Sequence, residues 1–371
     1  MNIVISGGRV QVYGEDVQTY KEIPVGSYEV CFSKMVGFYM TPRPDLIAKE
    51  EKIYGNHVEK VNKVMRAYSC MDRNLGIILS GQKGAGKSLF ARILAEQAIA
   101  ADMPVITVGT YIPGIADFLG SIEQEVVVVF DEFEKTFGKH DDYDPQEEML
   151  SLFDGMDNGK KMFVITCNEV SKLNPYLVNR PGRFHYHFVI GSPTADEVQA
   201  YMTDKLSPEY HQYIDRIVGF ANTVNITYDY LRAIAFELNM GYSIEETLND
   251  LNIMRTKDIA FDIVFKFANG HIYQSYHRTL DLYSNEQVWV RAFGGKNMPA
   301  TTFNFIPGDI KIVNGKLTLP VDKVDFETDS DEFWDLEEEE RKARLAAANA
   351  RVLESVELTK CNDDFVTRYV V

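Results

Sequence analysis

Short apolar runs alternate with helical patterns through the middle of the chain. Five runs have the length and composition of buried strands, and they are residues 75–80, 104–108, 126–130, 162–167 and 185–190. Strands buried on both faces and separated by amphipathic helices are typical of a parallel sheet that is covered on both sides. The pattern therefore predicts an α/β fold over residues 75–191, preceded by a helix at 57–70, where apolar residues recur at helical spacing.

The pattern changes after this region. Residues 192–253 are predicted to be mostly helical, and Ser192-Pro193 fits the start of a first helix. From residue 256 to 325, apolar and polar residues alternate with period two, and Asn269-Gly270 and Asn314-Gly315 are hairpin signals. This alternation predicts a small antiparallel β region.

Both ends of the chain carry weaker patterns. Residues 1–50 contain short strand-like runs, with a hairpin signal around Ser6-Gly7-Gly8. Residues 333–356 predict a charged helix with Glu and Lys or Arg four residues apart, most simply a solvent-facing helix.

A glycine-rich loop follows the first strand of the α/β region. Its sequence, GQKGAGKS from Gly81 to Ser88, fits the phosphate-binding pattern G-x-x-x-x-G-K-[ST] and opens a helical segment. Gly84 and Gly86 let backbone N–H groups face a phosphate, and the helix N-terminus adds partial positive charge. Lys87 would serve the β- and γ-phosphates and Ser88 would bind Mg²⁺. The predicted nucleotide-binding residues are Gly81, Gln82, Lys83, Gly84, Ala85, Gly86, Lys87, Ser88, Leu89 and Asp131.

Two carboxylates end the apolar strand VVVVFDE. Asp131 and Glu132 would emerge at the carboxyl edge of the sheet, where open α/β sheets bind ligands. Asp131 would hold Mg²⁺ directly or through water, and Glu132 would act as general base on the attacking water. The alternative is an ordinary solvated strand end, which is disfavoured by the spacing from Lys87.

Three more residues are candidates for catalysis. Asn168 ends the strand 162–167 and could orient the attacking water, although an asparagine there is also a common turn former. Arg180 and Arg183 flank Pro181-Gly182, and a planar guanidinium is suited to charge that grows on a transferred phosphoryl group. Surface arginines in a turn are the alternative.

In this order, the glycine-rich loop, VVVVFDE, EMLSLFDGMDNG, VITCN and RPGRF resemble the AAA clade of AAA+ ATPases. The resemblance covers about residues 54–250. Among AAA proteins, the chain is similar in its general look to stand-alone members such as the mitochondrial Rieske-protein translocase ATPase group. It implies ATP and Mg²⁺ as cofactors, a helical lid and a homo-oligomeric ring that is usually hexameric. It also implies that Arg180 and Arg183 act on the ATP of the neighbouring subunit. Asn174 and His185 stand where the family usually has aspartates.

The segment Phe118-Leu119-Gly120 resembles the pore element with which some AAA proteins grip a peptide. Only five residues separate it from the strand at 126, which leaves no room for the helix that normally follows a pore loop. We therefore interpret Phe118 and Leu119 as the core-facing end of a helix.

Composition and charge limit the classes of partner that we expect for this chain. The formal net charge is −17, which disfavours broad contact with nucleic acid or anionic membranes. The four cysteines are too far apart for a C-x-x-C zinc pair, and no apolar run approaches the length of a membrane span. With no signal-peptide pattern at the N-terminus, we expect a cytoplasmic protein with reduced thiols.

These observations combine into one hypothesis for the whole chain. The expected fold class is an α/β P-loop NTPase sheet with a helical lid plus a small β-rich extension. We expect ATP hydrolysis in an oligomer to remodel or translocate a macromolecule, with protein favoured, whereas a nucleic-acid motor or loader and a slow nucleotide-gated scaffold are the alternatives. The expected segments are an N-terminal β-rich segment and linker (1–54), the P-loop ATPase domain (55–191), a helical lid (192–253), a β-rich domain (254–330), and a C-terminal helix and tail (331–371).

Overall fold

The computed structural model of the chain forms two compact units. The first contains residues 1–82 and 86–190, and the second contains residues 83–85 and 191–371. Within these units the structure describes residues 2–6, 9–44, 46–47, 52–139, 143–155, 159–178, 182–251, 253, 259–295, 298–329 and 337–361.

A seven-stranded sheet is the centre of the first unit, and its order is β4-β3-β6-β7-β8-β5-β9. Its strands are β3 (Ser27–Ser33), β4 (Gly37–Arg43), β5 (Leu75–Ser80), β6 (Val105–Val108), β7 (Val126–Phe130), β8 (Lys161–Cys167) and β9 (Phe184–Val189). Every neighbouring pair is parallel except β3 with β4. The five strands predicted within the α/β region are therefore confirmed, and the fold is that of a P-loop NTPase.

Helices connect the strands of this sheet. They are α1 (His57–Cys70), α2 (Lys87–Ala100), α3 (Ile115–Gly120), α4 (Phe133–Thr136), α5 (Pro145–Asp154) and α6 (Pro175–Val178). The first has the bounds that its periodicity predicts. In α3, Leu119 is fully buried and Phe118 packs against the core, which confirms the interpretation of this segment as a core-facing helix end.

The N-terminal residues contribute strands to two sheets. A separate antiparallel hairpin joins β1 (Asn2–Ser6) to β2 (Arg9–Tyr13), as predicted. Strand β3 pairs in parallel with β6 and so extends the main sheet.

The order of the main sheet determines where polar side chains gather. Strands β7, β8 and β5 are adjacent, parallel and buried along their whole length. Their carboxyl ends therefore lie at one edge, where β5 leads into the loop 81–86, β7 into Asp131 and β8 into Asn168.

Among the residues that the structure describes, the second unit has five α-helices and two antiparallel sheets. Four of the helices precede the sheets in sequence, and they are α7 (Ala195–Lys205), α8 (Ile214–Thr223), α9 (Tyr228–Asn239) and α10 (Ile244–Asp250). A capping box formed by Thr194 and Glu197 starts α7, two residues after the proline that predicted a helix here. None of the described helices of either unit combines the length and apolar character needed to cross a bilayer.

The β region of the second unit has a five-stranded sheet, β11-β10-β17-β15-β14, and a three-stranded sheet, β12-β13-β16. The strands are β10 (Ile259–Phe267), β11 (Ile272–Leu280), β12 (Val288–Ala292), β13 (Thr301–Phe305), β14 (Lys311–Val313), β15 (Lys316–Thr318), β16 (Asp325–Thr328) and β17 (Leu353–Lys360). Alternate residues of β10 are buried, and both predicted Asn-Gly hairpins are present.

The segment expected to be a C-terminal helix and tail contains both a helix and a strand. Helix α11 (Glu338–Asn349) carries the expected pairs, with Glu338 2.6 Å from Lys342 and Glu340 2.9 Å from Arg344. The following strand β17 pairs with β10 and β15, and it was not foreseen. Its buried apolar residues, spread through a polar sequence, form a weak signal until a core is there to receive them.

Candidate functional site

The loop between β5 and α2 has the backbone of a phosphate-binding loop. Gly81, Gly84 and Gly86 have φ values of 139°, 80° and 110°, a region that side-chain-bearing residues rarely adopt. A Cβ on Gly81 would lie 2.1 Å from the backbone oxygen of Ile190, so this position excludes any side chain. Helix α2 begins at Lys87, directly after the left-handed Gly86, and its N-terminal N–H groups follow the loop.

Lys87 folds its ammonium group back into this loop. Its Nζ donates to the carbonyl oxygens of Gly81 at 2.5 Å and Gln82 at 2.9 Å, and to Oδ1 of Asn168 at 2.9 Å. The side chain is only 7% exposed, and burial lowers its pKa, an effect partly opposed by negative groups that include Glu134 and Asp131. A cation held this way is poorly solvated and suited to receive phosphate oxygens.

The two acidic residues after β7 have different environments. Oδ1 of Asp131 accepts a hydrogen bond of 2.5 Å from the Thr166 hydroxyl, whose oxygen accepts from the Glu132 backbone N–H at 2.9 Å. Glu132 has φ 47°, an uncommon value for a residue with a side chain, and its carboxylate lies 2.7 Å from Lys135 Nζ. Backbone conformations of this kind concentrate at functional sites. Through its two hydrogen bonds, Thr166 links both acidic residues to β8, and this threonine was missed in the sequence.

Asn168 links the lysine to a second buried acid. Its backbone N–H and side-chain Nδ2 both donate to Oε1 of Glu134, at 2.9 and 3.0 Å, while its Oδ1 accepts from Lys87. Strand β8 lies between β7 and β5, as the expected position beside the loop strand requires. Glu134 was also missed in the sequence, although its position directly after Phe133 and three residues before Phe137 was a usable signal of burial.

The predicted ligands of Mg²⁺ are the hydroxyl of Ser88 and the carboxylate of Asp131. Ser88 is exposed in the first turn of α2 and Asp131 is exposed at the end of β7. In the part of the chain that the structure describes, no cluster of three or more His, Cys, Asp or Glu side chains is arranged to hold a metal. One hydroxyl and one carboxylate fit Mg²⁺, which is commonly held by one or two protein groups together with substrate phosphates.

The structure describes one of the two candidate arginines, Arg183. Arg180 lies outside the described residues. Arg183 is 6% exposed and donates through Nε and Nη2 to the Asp154 carboxylate, the latter bond being 2.5 Å, and through Nη1 to the Tyr176 carbonyl at 2.9 Å. The Asp154 carboxylate raises the pKa of Arg183 above its usual value. In this structure the Arg183 guanidinium is held within its own chain.

Two comparisons with known proteins agree with this geometry. Residues 77–192 match the family described as ATPase family associated with various cellular activities (AAA). The protein CdcH of Halobacterium salinarum is 28% identical to the chain over 143 residues, which cover 33% of this chain. The match spans only 18% of that protein's length. The left-handed glycine loop, the buried lysine and the strand order around them coincide with the matched residues, and residues 77–192 therefore have the sequence and fold of an AAA domain.

Proposed function

We propose that this chain binds ATP with Mg²⁺ at the loop 81–88 and hydrolyses it to ADP and phosphate. One observation carries the proposal: a buried ammonium, an acid pair and an amide lie at the ends of three adjacent parallel strands. Lys87 and Asn168 are in contact, and the acid pair is tied to the same strand β8 through Thr166. This arrangement can hold a triphosphate on one side and a water molecule on the other.

The lysine is the main phosphate ligand of the proposal. Its partners in the present structure are two loop carbonyls and Asn168, all neutral acceptors. Phosphate oxygens are charged acceptors, and hydrogen bonds to them are roughly twice as strong as those to neutral groups. We therefore expect Lys87 to exchange these partners for the β- and γ-phosphates, which would free Oδ1 of Asn168.

The remaining roles follow from position. Ser88 and Asp131 would hold Mg²⁺, which would neutralise charge on the phosphates. Glu132 would accept a proton from the attacking water, for which its carboxylate must leave Lys135. The ion pair is exposed, and water weakens ion pairs at the surface, so little stability is lost in this exchange.

Assembly and partner belong to the same proposal. We propose a cytoplasmic homo-oligomeric ring, with a hexamer as the first expectation, that remodels or translocates a partner protein. The AAA domain supports oligomerisation, and the net charge of −17 favours a protein partner over nucleic acid. The order of the sequence motifs supports placing this chain among the stand-alone AAA proteins, near the Rieske-protein translocase group. The same motif order supports a role of Arg180 and Arg183 at the ATP of the neighbouring subunit. For Arg183, this role requires that its guanidinium leave Asp154.

Nucleotide binding by a lysine variant tests the core of the proposal. Lys87→Ala should weaken ATP binding at least about 100-fold, equivalent to about 2.7 kcal/mol, because a charged phosphate ligand is lost. Lys34→Ala, which removes an exposed lysine in the turn between β3 and β4, is the matched control and should bind ATP like the wild type. Isothermal titration calorimetry measures both. Wild-type affinity in Lys87→Ala would refute the assignment of the loop.

A further inference from the structure

Glu134 is a buried acid that the proposed roles leave unexplained. It lies in the short helix α4 and is only 7% exposed. Its Oε1 accepts both hydrogen bonds from Asn168, whereas Oε2 is buried and has no hydrogen-bond partner among the described residues. Burying an incompletely paired carboxyl group is unfavourable, so its presence requires a specific reason.

The neighbours of Asn168 determine which way its amide points. Oε1 of Glu134 accepts the Asn168 backbone N–H, so the side-chain atom that meets the same oxygen must be the Nδ2 donor. At the other end the Lys87 ammonium has only donors, so its partner must be Oδ1. Two independent contacts therefore give the same orientation, in which the amide oxygen faces the lysine.

Helix α4 is held firmly enough to transmit this constraint. Phe133 and Phe137, one on each side of Glu134 along the chain, are fully buried and stack with ring centroids 4.5 Å apart. Phe133 also packs edge-to-face on Phe130 at the end of β7, 5.6 Å between centroids. The carboxylate of Glu134 consequently has a defined position relative to the end of β8, where Asn168 lies.

We propose that Glu134 is a positioning residue that holds Asn168 with its amide oxygen, rather than its NH₂ group, toward the phosphate site. This inference rests on the proposed function and assigns Asn168 a particular task in it. An amide oxygen would be repelled by phosphate oxygens, but it can accept a hydrogen bond from the attacking water. Asn168 therefore orients the water and does not bind the γ-phosphate directly.

The hydrolysis step can then be written with each group in place. One O–H of the water is held by Oδ1 of Asn168, and the other gives its proton to the Glu132 carboxylate. The water oxygen forms a bond to the γ-phosphorus while the bond from that phosphorus to the bridging oxygen breaks, and its electron pair remains on ADP. Glu134 touches none of the reacting atoms and acts only through Asn168.

Two substitutions, at Glu134 and Asn168, test whether Glu134 acts through Asn168. The test is whether Glu134→Gln lowers or raises kcat in each background. Glu134→Gln keeps the shape but weakens both hydrogen bonds from Asn168, because a neutral amide oxygen is a weaker acceptor than a carboxylate oxygen. The side-chain amide of Asn168 is then oriented less firmly, so kcat should fall about tenfold with KM and ATP affinity nearly unchanged. In an Asn168→Asp background the same substitution should raise kcat, because Gln can donate to the new carboxylate whereas Glu would repel it. Glu169→Gln, at an exposed glutamate adjacent to Asn168, is the control and should keep wild-type kcat.

The outcomes separate this inference from the proposed function. Equal fold-losses from Glu134→Gln in both backgrounds would overturn the inference, as would an increase of KM with kcat unchanged. The midpoint of thermal unfolding, measured for the wild type, Glu134→Gln, Asn168→Asp and the double variant, provides a readout that needs no activity. If the wild type hydrolyses no ATP, the proposed function fails, and a thermal midpoint that Glu134→Gln changes equally in both backgrounds would separately reject the contact.

Discussion

Replacing Arg183 with alanine tests whether this arginine stabilises its own subunit. The guanidinium makes hydrogen bonds to both oxygens of Asp154 and to the carbonyl of Tyr176, and its side chain is 6% exposed. These contacts join the end of α5 to the chain just before β9. Arg183→Ala removes all of them and leaves the Asp154 carboxylate without this cation.

The size of the loss follows from burial. Removing one partner of a buried ion pair typically costs about 3–5 kcal/mol. The Asp154 side chain is 32% exposed, so water can partly solvate the remaining carboxylate and the lower end, about 3 kcal/mol, is expected. For a unit of this size each kcal/mol shifts the unfolding midpoint by about 2–4 °C, which gives a decrease of about 6–12 °C.

Differential scanning calorimetry measures the shift. The matched control is Arg43→Ala, because Arg43 pairs with Glu29 at 3.4 Å in the same unit, but the two side chains are 50% and 37% exposed. Such pairs contribute about 1 kcal/mol or less, so this variant should lose no more than about 4 °C. A wild-type midpoint in Arg183→Ala together with lost ATP hydrolysis would refute this reasoning and favour a role toward a neighbouring subunit.

Three further predictions concern the acid pair and buried titratable groups. Glu132→Gln should bind ATP normally but lower kcat by about 10²–10⁴-fold, and unchanged turnover would remove its role as base. Burial lowers the pKa of His187 below its usual 6.5, so stability is full above about pH 6.5 and falls as pH decreases, by at most about 1.4 kcal/mol per pH unit. Urea unfolding between pH 7.5 and 5 should show a shallower pH dependence of the free energy of unfolding for His187→Asn than for the wild type. Burial raises the pKa of Cys167 to about 12, so iodoacetamide should label the exposed Cys70 in the folded protein, and modification of Cys167 would contradict its burial.

The parallel sheet could be predicted because its signals are local. Each buried strand is a short apolar run, and a glycine loop before a helix requires a particular backbone wherever it occurs. The position of Asn168 beside the loop strand also followed from the order of strands. Hydrophobic periodicity gave the hairpins and α1 for the same reason.

The contacts that the sequence did not reveal join residues far apart in the chain. Glu134 reaches Asn168 across 34 residues, and Arg183 reaches Asp154 across 29. Neither partner carries a pattern that identifies the other, since any acidic residue can pair with any suitable donor. The left-handed conformation of Glu132 is likewise imposed by its surroundings, because nothing in the residue itself favours it.

The position of β17 in the second unit affects how that unit folds during its synthesis. This strand lies between β10, the first strand of the unit in sequence, and β15. On a ribosome, β10 must therefore wait with one side of its backbone unpaired until the residues of β17 have emerged. Such long-range pairing folds slowly, and an exposed strand edge invites association with other chains. Newly made protein that stops before residue 353 would retain that open edge, which makes the β-rich unit a natural target for chaperones during synthesis.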